Sequence, residues 1–188
     1  VITKMTGNSG GYSPSSGYSH STNYMLLDNG TLNFARSCGY NGNGECADGT
    51  TNNRSTPWLI NNVLNGIIPA GRVQDIVCFS GSPNGAGGIL MASGNLYTWG
   101  YNGYGQLGVG DTSGRTNPTL SSTGVLAFLN DGTDCFYYGW QIQSFIKKSD
   151  GVYAAGYNGY SDLGVGDQTN RSSWTKVLLP QNFNCAGM

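Results

Sequence analysis

The segment WGYNGYGQLGVGDTSGRTNP, at Trp99–Pro118, decides the fold of this chain. It holds six glycines and almost no charge, with Trp, Leu and Val at regular places between them. Such a stretch is either a glycine loop that binds phosphate or the corner of a structural unit that recurs along the chain. A phosphate loop carries a lysine close to its glycines, and this segment has none.

The segment recurs in the chain, which favours the repeated unit. The stretch Gly100–Asp111 returns as GYNGYSDLGVGD at Gly156–Asp167 and, more weakly, as GYNGNGECADGT at Gly39–Thr50. The first glycines of the copies are 61 and 56 residues apart. An arginine follows each first glycine by 15 residues: Arg54, Arg115 and Arg171. Three copies in register indicate three structural units.

A turn between two apolar runs precedes every copy, as LLDNGTLNF, LMASGNLYTW and IKKSDGVYAA. Glycine adopts positive φ without steric cost, so each run predicts a β-hairpin. Units of about 50 to 60 residues made of short strands are typical of propeller blades. We predict an all-β chain with one repeat domain of three four-stranded antiparallel blades, at approximately 1–75, 76–133 and 134–188.

The motif WGxNxxGQLGxGD, preceded by a strand that ends in Y-x-W-G, resembles the regulator of chromosome condensation repeat family. The match is strong at Trp99–Asp111, good at Gly156–Asp167 and degraded at Gly39–Thr50. The family builds seven-bladed β-propellers, and its founding member is a nuclear exchange factor for a small GTPase. The repeat also occurs in phage tail-fibre and bacterial surface proteins. The resemblance therefore implies the fold more strongly than any activity.

Three blades leave the ring incomplete, because propellers usually close with about four to eight. The two terminal faces would then expose apolar surface. We expect these faces to be covered by other copies of the chain or by further repeats of a longer chain.

Composition excludes several classes of function. The net charge is −1 and charged residues make up 10% of the 188 residues, whereas nucleic-acid-binding proteins present a basic face. No run of 18 apolar residues is present, so we expect no membrane insertion. GNSGG at Gly7–Gly11 is similar to a protease nucleophile segment, but the only histidine, His20, comes after it. No Cys/His cluster has metal-ligand spacing. We predict no enzymatic activity and no cofactor or metal.

The recurring corners supply the candidate site residues. A structural role is predicted for the residues that repeat in register: Gly39, Gly100, Gly156, Asn41, Asn102, Asn158, Leu107 and Leu163. Asp111 and Asp167 are predicted to cap turn amides, and the three arginines to bind loop carbonyls. The binding candidates are aromatic: Tyr40, Tyr101, Tyr104, Tyr157 and Tyr160. Such rings either bind a glycan or a protein receptor from exposed loops or pack between blades.

Two covalent features are open at this point. Cys38 and Cys46 replace Trp99 and Leu107 in register, so the sequence predicts either a disulfide between them or two free thiols. A disulfide would indicate an oxidising compartment. Three triplets fit the N-glycosylation acceptor pattern, at Asn29, Asn53 and Asn170.

The function that these patterns favour is non-enzymatic recognition or adhesion on a cell or virion surface, with blade loops that bind a glycan or a receptor. A low charge with abundant Asn, Ser, Thr, Gly and Tyr suits that extracellular setting. One alternative is a subunit of an extracellular filament that assembles through open blade faces. The other is guanine-nucleotide exchange or chromatin binding, which the resemblance implies.

Overall fold

The computed structural model describes residues 1–8, 21–28, 33–60, 71–79, 84–129 and 142–179. Within these residues the chain forms twelve β-strands: β1 (Ile2–Asn8), β2 (Thr22–Asp28), β3 (Asn33–Gly39), β4 (Arg54–Leu59), β5 (Val73–Cys78), β6 (Ala86–Met91), β7 (Leu96–Gly100), β8 (Arg115–Ser122), β9 (Val125–Phe128), β10 (Gln143–Lys148), β11 (Gly151–Gly156) and β12 (Arg171–Lys176). In this part of the chain, no helix has the length and apolar character needed to cross a lipid bilayer.

The strands form three four-stranded sheets in chain order, which confirms the predicted fold class. Sheet 1 contains β1–β4, sheet 2 contains β5–β8 and sheet 3 contains β9–β12, and all neighbouring strands are antiparallel. The three hairpins predicted from turn dipeptides are β2–β3, β6–β7 and β10–β11. The ring of sheets is incomplete.

The sheets begin earlier than the approximate blade boundaries placed at 76 and 134. Sheet 2 begins at Val73 and sheet 3 at Val125. Only Thr123 and Gly124 separate the last strand of sheet 2 from the first strand of sheet 3. Gly124 has a φ of 66°, which lets the chain turn between the sheets in so few residues.

Sheets 1 and 2 are joined by a buried cluster of side chains from their facing sides. Tyr24, Leu26 and Ala35 of sheet 1 pack with Ile89, Tyr97 and Trp99 of sheet 2. The Trp99 indole donates a hydrogen bond of 2.8 Å to the Glu45 carbonyl oxygen, and its ring makes an edge contact with Tyr24. Each large side chain buried in this way contributes about 1.5–3 kcal/mol of hydrophobic stabilisation.

Sheets 2 and 3 meet through a second cluster. Leu90 and Leu96 of sheet 2 pack with Val125 and Ile146 of sheet 3, and the partly buried Tyr153, Trp174 and Phe128 lie against them. Strand alternation therefore gives each sheet two faces. In sheets 1 and 2 we call the face that contacts the next sheet along the chain the outgoing face, and the opposite one the incoming face. In sheet 3 the incoming face is the one that contacts sheet 2, and the outgoing face is the one opposite.

Candidate functional site

Each copy of the glycine-rich segment forms a corner that follows the third strand of its sheet. Corner 1 is 39–54, corner 2 is 100–115 and corner 3 is 156–171. Each corner begins at a glycine with a φ between 93° and 119°: Gly39, Gly100 and Gly156. A Cβ at any of the three would overlap the backbone carbonyl of the residue before the paired strand. Only glycine combines this φ with this close approach.

A buried asparagine holds each corner together. In corner 2, Asn102 Oδ1 accepts the Leu107 amide at 3.0 Å, while Asn102 Nδ2 donates to the carbonyls of Asp111 and Ser113 at 2.9 and 3.1 Å. Asn158 makes the same contacts in corner 3, and Asn41 their counterparts in corner 1. The side chain thereby links three points of a loop that lies outside the strands.

In corners 2 and 3 an aspartate and an arginine form an ion pair at the C-terminal end of the loop. Asp111 Oδ1 accepts the Ser113 amide at 2.8 Å, and its other oxygen accepts Arg115 at 2.7 Å. Arg115 also donates to the Ser113 carbonyl at 2.6 Å. The hydrogen bond from Arg115 lowers the pKa of Asp111 below its usual value, with a further contribution from the Ser113 amide. Asp167 and Arg171 repeat the arrangement, and the pKa of Asp167 is lowered in the same way.

Corner 1 reaches the same result with a residue that the sequence analysis missed. Thr50 occupies the register position of Asp111, and its hydroxyl accepts the Asn52 amide at 3.2 Å. The carboxylate comes from Asp48, which pairs with Arg54 and accepts the Thr50 amide. Burial alone would raise the pKa of Asp48, but the hydrogen bonds from Thr50, Arg54 and Asn41 outweigh it and lower this pKa. The sequence contained one signal for this role, because Asp48 lies two residues before the register position of Asp111.

The leucines of the corners point into the fold. Leu107 and Leu163 are fully buried, and Leu107 packs with Val77, Phe79 and Ala86. In corner 1 the same position holds Cys46, which is also fully buried.

Four of the five candidate tyrosines form one continuous row, which we call the tyrosine row: Tyr101, Tyr104, Tyr157 and Tyr160. The successive ring centroids are 6.3, 5.4 and 6.1 Å apart. The central contact, between Tyr104 and Tyr157, joins corner 2 to corner 3. The first three rings are half-buried, whereas Tyr160 is 81% exposed. The rings thus pack between corners and also offer surface to solvent.

Recurring glycines leave space for the ring of the first tyrosine in each corner. A Cβ at Gly103 would overlap the hydroxyl of Tyr101, and Gly159 stands in the same relation to Tyr157. The fifth candidate, Tyr40, lies over Gly42 in corner 1. Corner 1 has Asn43 where the other corners have their second tyrosine, and the Asn43 amide and side chain donate to the buried Glu45.

The two cysteines of sheet 1 and corner 1 are free thiols, so the predicted disulfide is not formed. The Cys46 thiol lies 3.7 Å from the Tyr40 carbonyl oxygen and 3.9 Å from that of Gly39, in hydrogen-bonding geometry with both. Burial raises the pKa of Cys46 to about 12, which keeps the thiol protonated.

Two of the three predicted glycosylation acceptors lie on exposed corner positions. Asn53 Oδ1 accepts the Asn41 amide at 3.0 Å, and Asn170 Oδ1 accepts the Asn158 amide at 2.8 Å. Asn29 lies outside the described residues, as does His20. Within the residues that the structure describes, no three His, Cys, Asp or Glu side chains are grouped to hold a metal ion.

Comparison with known proteins identifies the repeat. The family model of the regulator of chromosome condensation (RCC1) repeat matches residues 93–125, from the turn of the second hairpin through corner 2 and β8. The ultraviolet-B receptor UVR8 of Arabidopsis thaliana is 30% identical over 133 residues, which are 70% of this chain and 27% of that protein.

Solved structures share the fold. Human WBSCR16 is 21% identical, with a TM-score of 0.59, over 82% of this chain and 35% of that one. Yeast RCC1 (Prp20), solved bound to Kap60, is 15% identical, with a TM-score of 0.63, over 86% of this chain and 34% of that one. The chain thus spans about a third of the length of each of these two solved chains.

Proposed function

Because this chain is a β-propeller repeat protein that carries the RCC1 repeat, we propose that it is a non-enzymatic recognition protein whose tyrosine row binds a surface glycan or a protein receptor. The tyrosine row is the observation that carries this proposal. It brings aromatic rings from two neighbouring corners into successive contact, and its last ring is 81% exposed.

The rigidity of the corners supports a binding role for these rings. Each row tyrosine lies within a few residues of a buried asparagine that holds the loop backbone, so little loop entropy is lost on binding. Tyrosine gives a large amphipathic contact with few rotatable bonds, and the neighbouring Gly and Asn residues add polar groups. The sparse charge of the chain fits an uncharged ligand of this kind.

The setting that fits this function is an extracellular or virion surface. This proposed location rests on composition alone, since few charges and abundant Asn, Ser, Thr and Gly are typical of such surfaces.

A glycan array probed with the whole chain and with Tyr160→Ala tests the proposal. We expect the wild type to bind a defined set of glycans and Tyr160→Ala to bind them about two- to tenfold more weakly, which corresponds to one aromatic contact of about 0.5–1.5 kcal/mol. Leu120→Ala is the matched control, because Leu120 is an exposed apolar residue outside the row. If the chain bound no glycan on the array and accelerated nucleotide release from a small GTPase, the result would instead favour the exchange-factor alternative.

A further inference from the structure

The two contacts between sheets follow one rule. A leucine on the outgoing face shares a cluster with a tyrosine on the incoming face of the next sheet. Leu26 of sheet 1 packs with Tyr97 of sheet 2, and Leu90 of sheet 2 lies in the cluster that Tyr153 of sheet 3 packs against. The two leucines occupy equivalent positions, each paired with the residue four places before the corner glycine.

The outgoing face of sheet 3 breaks this rule. Lys147 pairs with Val152, which lies four places before the corner glycine. Leu26 and Leu90 pair with the residues at that same place in their own sheets, Ala35 and Leu96. Lys147 therefore occupies the position that a leucine has in the other two sheets. Its neighbour Ile146 is buried against sheet 2, and strand alternation therefore places Lys147 on the opposite face. Lys147 makes no ion pair with any residue in the described ranges.

The incoming face of sheet 1 breaks it as well. Arg36 lies in the third strand of its sheet and pairs with Met25. Tyr97 and Tyr153 occupy the same place in the other two sheets, where they pair with Ile89 and Ile146. Arg36 therefore occupies the position that a tyrosine has in sheets 2 and 3. Its guanidinium donates to the Pro57 carbonyl at 3.1 Å and remains partly exposed. A second copy that stacked on sheet 3 in the same geometry would therefore bring Arg36 against Lys147. Two like charges brought together and removed from water oppose such a contact strongly.

The corners give an independent steric obstacle. A Cβ at Gly44 would lie 2.7 Å from Thr116 Cα, and one at Gly105 would lie 2.5 Å from Ser172 Cα, on the outer strand of the next sheet. Corner 3 has Ser161 at this position, with a φ of 64°. Its side chain would meet the backbone of the fourth strand of any sheet that docked in the same way.

The chain covers corner 3 with its own residues instead. The Leu178 amide donates to the Gly164 carbonyl at 2.8 Å, and Val177 and Leu178 contact Gly164 and Gly166. In corner 2 the equivalent glycines, Gly108 and Gly110, contact Trp174 and Ser172 of the next sheet. The Leu178 side chain itself remains 70% exposed.

We propose that Lys147, Arg36 and Ser161 prevent a second copy of this chain from stacking sheet 1 on sheet 3 as sheets 1, 2 and 3 stack on one another. The chain therefore neither completes a six-sheet ring nor grows a filament by this contact.

Sedimentation equilibrium of designed variants tests this proposal. In Lys147→Glu/Ser161→Gly the new carboxylate faces Arg36 and the serine side chain is gone. We expect this variant to self-associate at least tenfold more tightly than the wild type. The matched control adds Arg36→Glu, which restores like charges across the contact, and we expect its association to return to the wild-type level.

Two results would overturn the proposal. One is equal association of the wild type and Lys147→Glu/Ser161→Gly, with circular dichroism showing both folded. The other is association of the triple variant as tight as that of the double variant. Sedimentation reports self-association and the glycan array reports ligand binding, so failure of this proposal and failure of the proposed recognition function give different results.

Discussion

At the scale of single residues, the corners depend on polar side chains that form hydrogen bonds with backbone groups of the loop. Asn41, Asn102 and Asn158 are buried and bridge backbone groups that no strand pairs. The repeat made these positions predictable. Asp48 was not predictable in the same way, because its role passes to a different position when Thr50 replaces the aspartate.

Asn102→Ala tests the buried asparagine. We expect a loss of about 1–3 kcal/mol in the free energy of unfolding, since the buried Leu107 amide loses its acceptor. The midpoint of urea unfolding measures this loss. Asn117→Ala, at an exposed asparagine of β8, is the control and should change the midpoint little. Equal midpoints for the two variants would contradict the structural role.

The lowered pKa values of Asp111 and Asp167 make stability depend on acid pH. Because the pKa is lower in the folded chain, the unfolded chain binds more protons as the pH falls. The stabilisation is present above about pH 4, the ordinary pKa of Asp, and is lost as the pH falls through the folded-state pKa. Asp111→Asn/Asp167→Asn should therefore show a shallower decline in urea midpoint between about pH 5 and pH 2. Parallel curves for variant and wild type would be evidence against this linkage.

At the scale of elements, a corner of one sheet touches the outer strand of the next. In corner 2 the Gly110 amide donates to the Ser172 carbonyl at 2.8 Å, and Val109 bridges to Ser173. The hairpins were predictable because turn dipeptides and apolar runs are local signals. The close contact between a corner and the outer strand of the next sheet could not be predicted from the sequence, because it joins residues about 60 positions apart along the chain.

Gly105→Ser tests this contact. The substitution combines a positive φ, which costs a non-glycine residue about 1–2 kcal/mol, with overlap against Ser172, which adds about 1–3 kcal/mol. Gly124→Ser is the matched control, because Gly124 has a similar φ and nothing within 4 Å of its Cβ position. Thermal or urea unfolding should show a clearly larger loss for Gly105→Ser. Equal losses would mean that the corner tolerates the added side chain.

At the scale of the whole molecule, Trp99 joins sheets 1 and 2 into one core. It is fully buried, contacts Tyr24 and donates to the Glu45 carbonyl. The sequence analysis placed Trp99 in the repeat motif, but its partner on another sheet depends on how the sheets stack.

Trp99→Ala should reduce the free energy of unfolding by about 3–5 kcal/mol and Trp99→Phe by less, because phenylalanine keeps most of the apolar contact. Trp58→Ala is a control at a half-buried tryptophan whose ring lies against Arg54. Hydrogen exchange provides the spatial readout: the β2 amides of sheet 1 should exchange faster in Trp99→Ala although the substitution lies in sheet 2. Unchanged protection of β2 would show that the sheets are not coupled through this residue.

The sequence by itself determined the repeat, the hairpins, the all-β blades and the glycines and asparagines of the corners, because each depends on residues close together along the chain. Only the tertiary structure decided how the tyrosines align into a row, that Cys38 and Cys46 stay apart as thiols, and that Lys147, Arg36 and Ser161 occupy the contact positions of the two outer faces. The row and the two outer faces depend on how neighbouring sheets stack, which joins residues far apart along the chain and is encoded in no local pattern of residues. The state of the two thiols depends on the folded geometry of one corner, where the Cys46 thiol lies against the carbonyls of Gly39 and Tyr40.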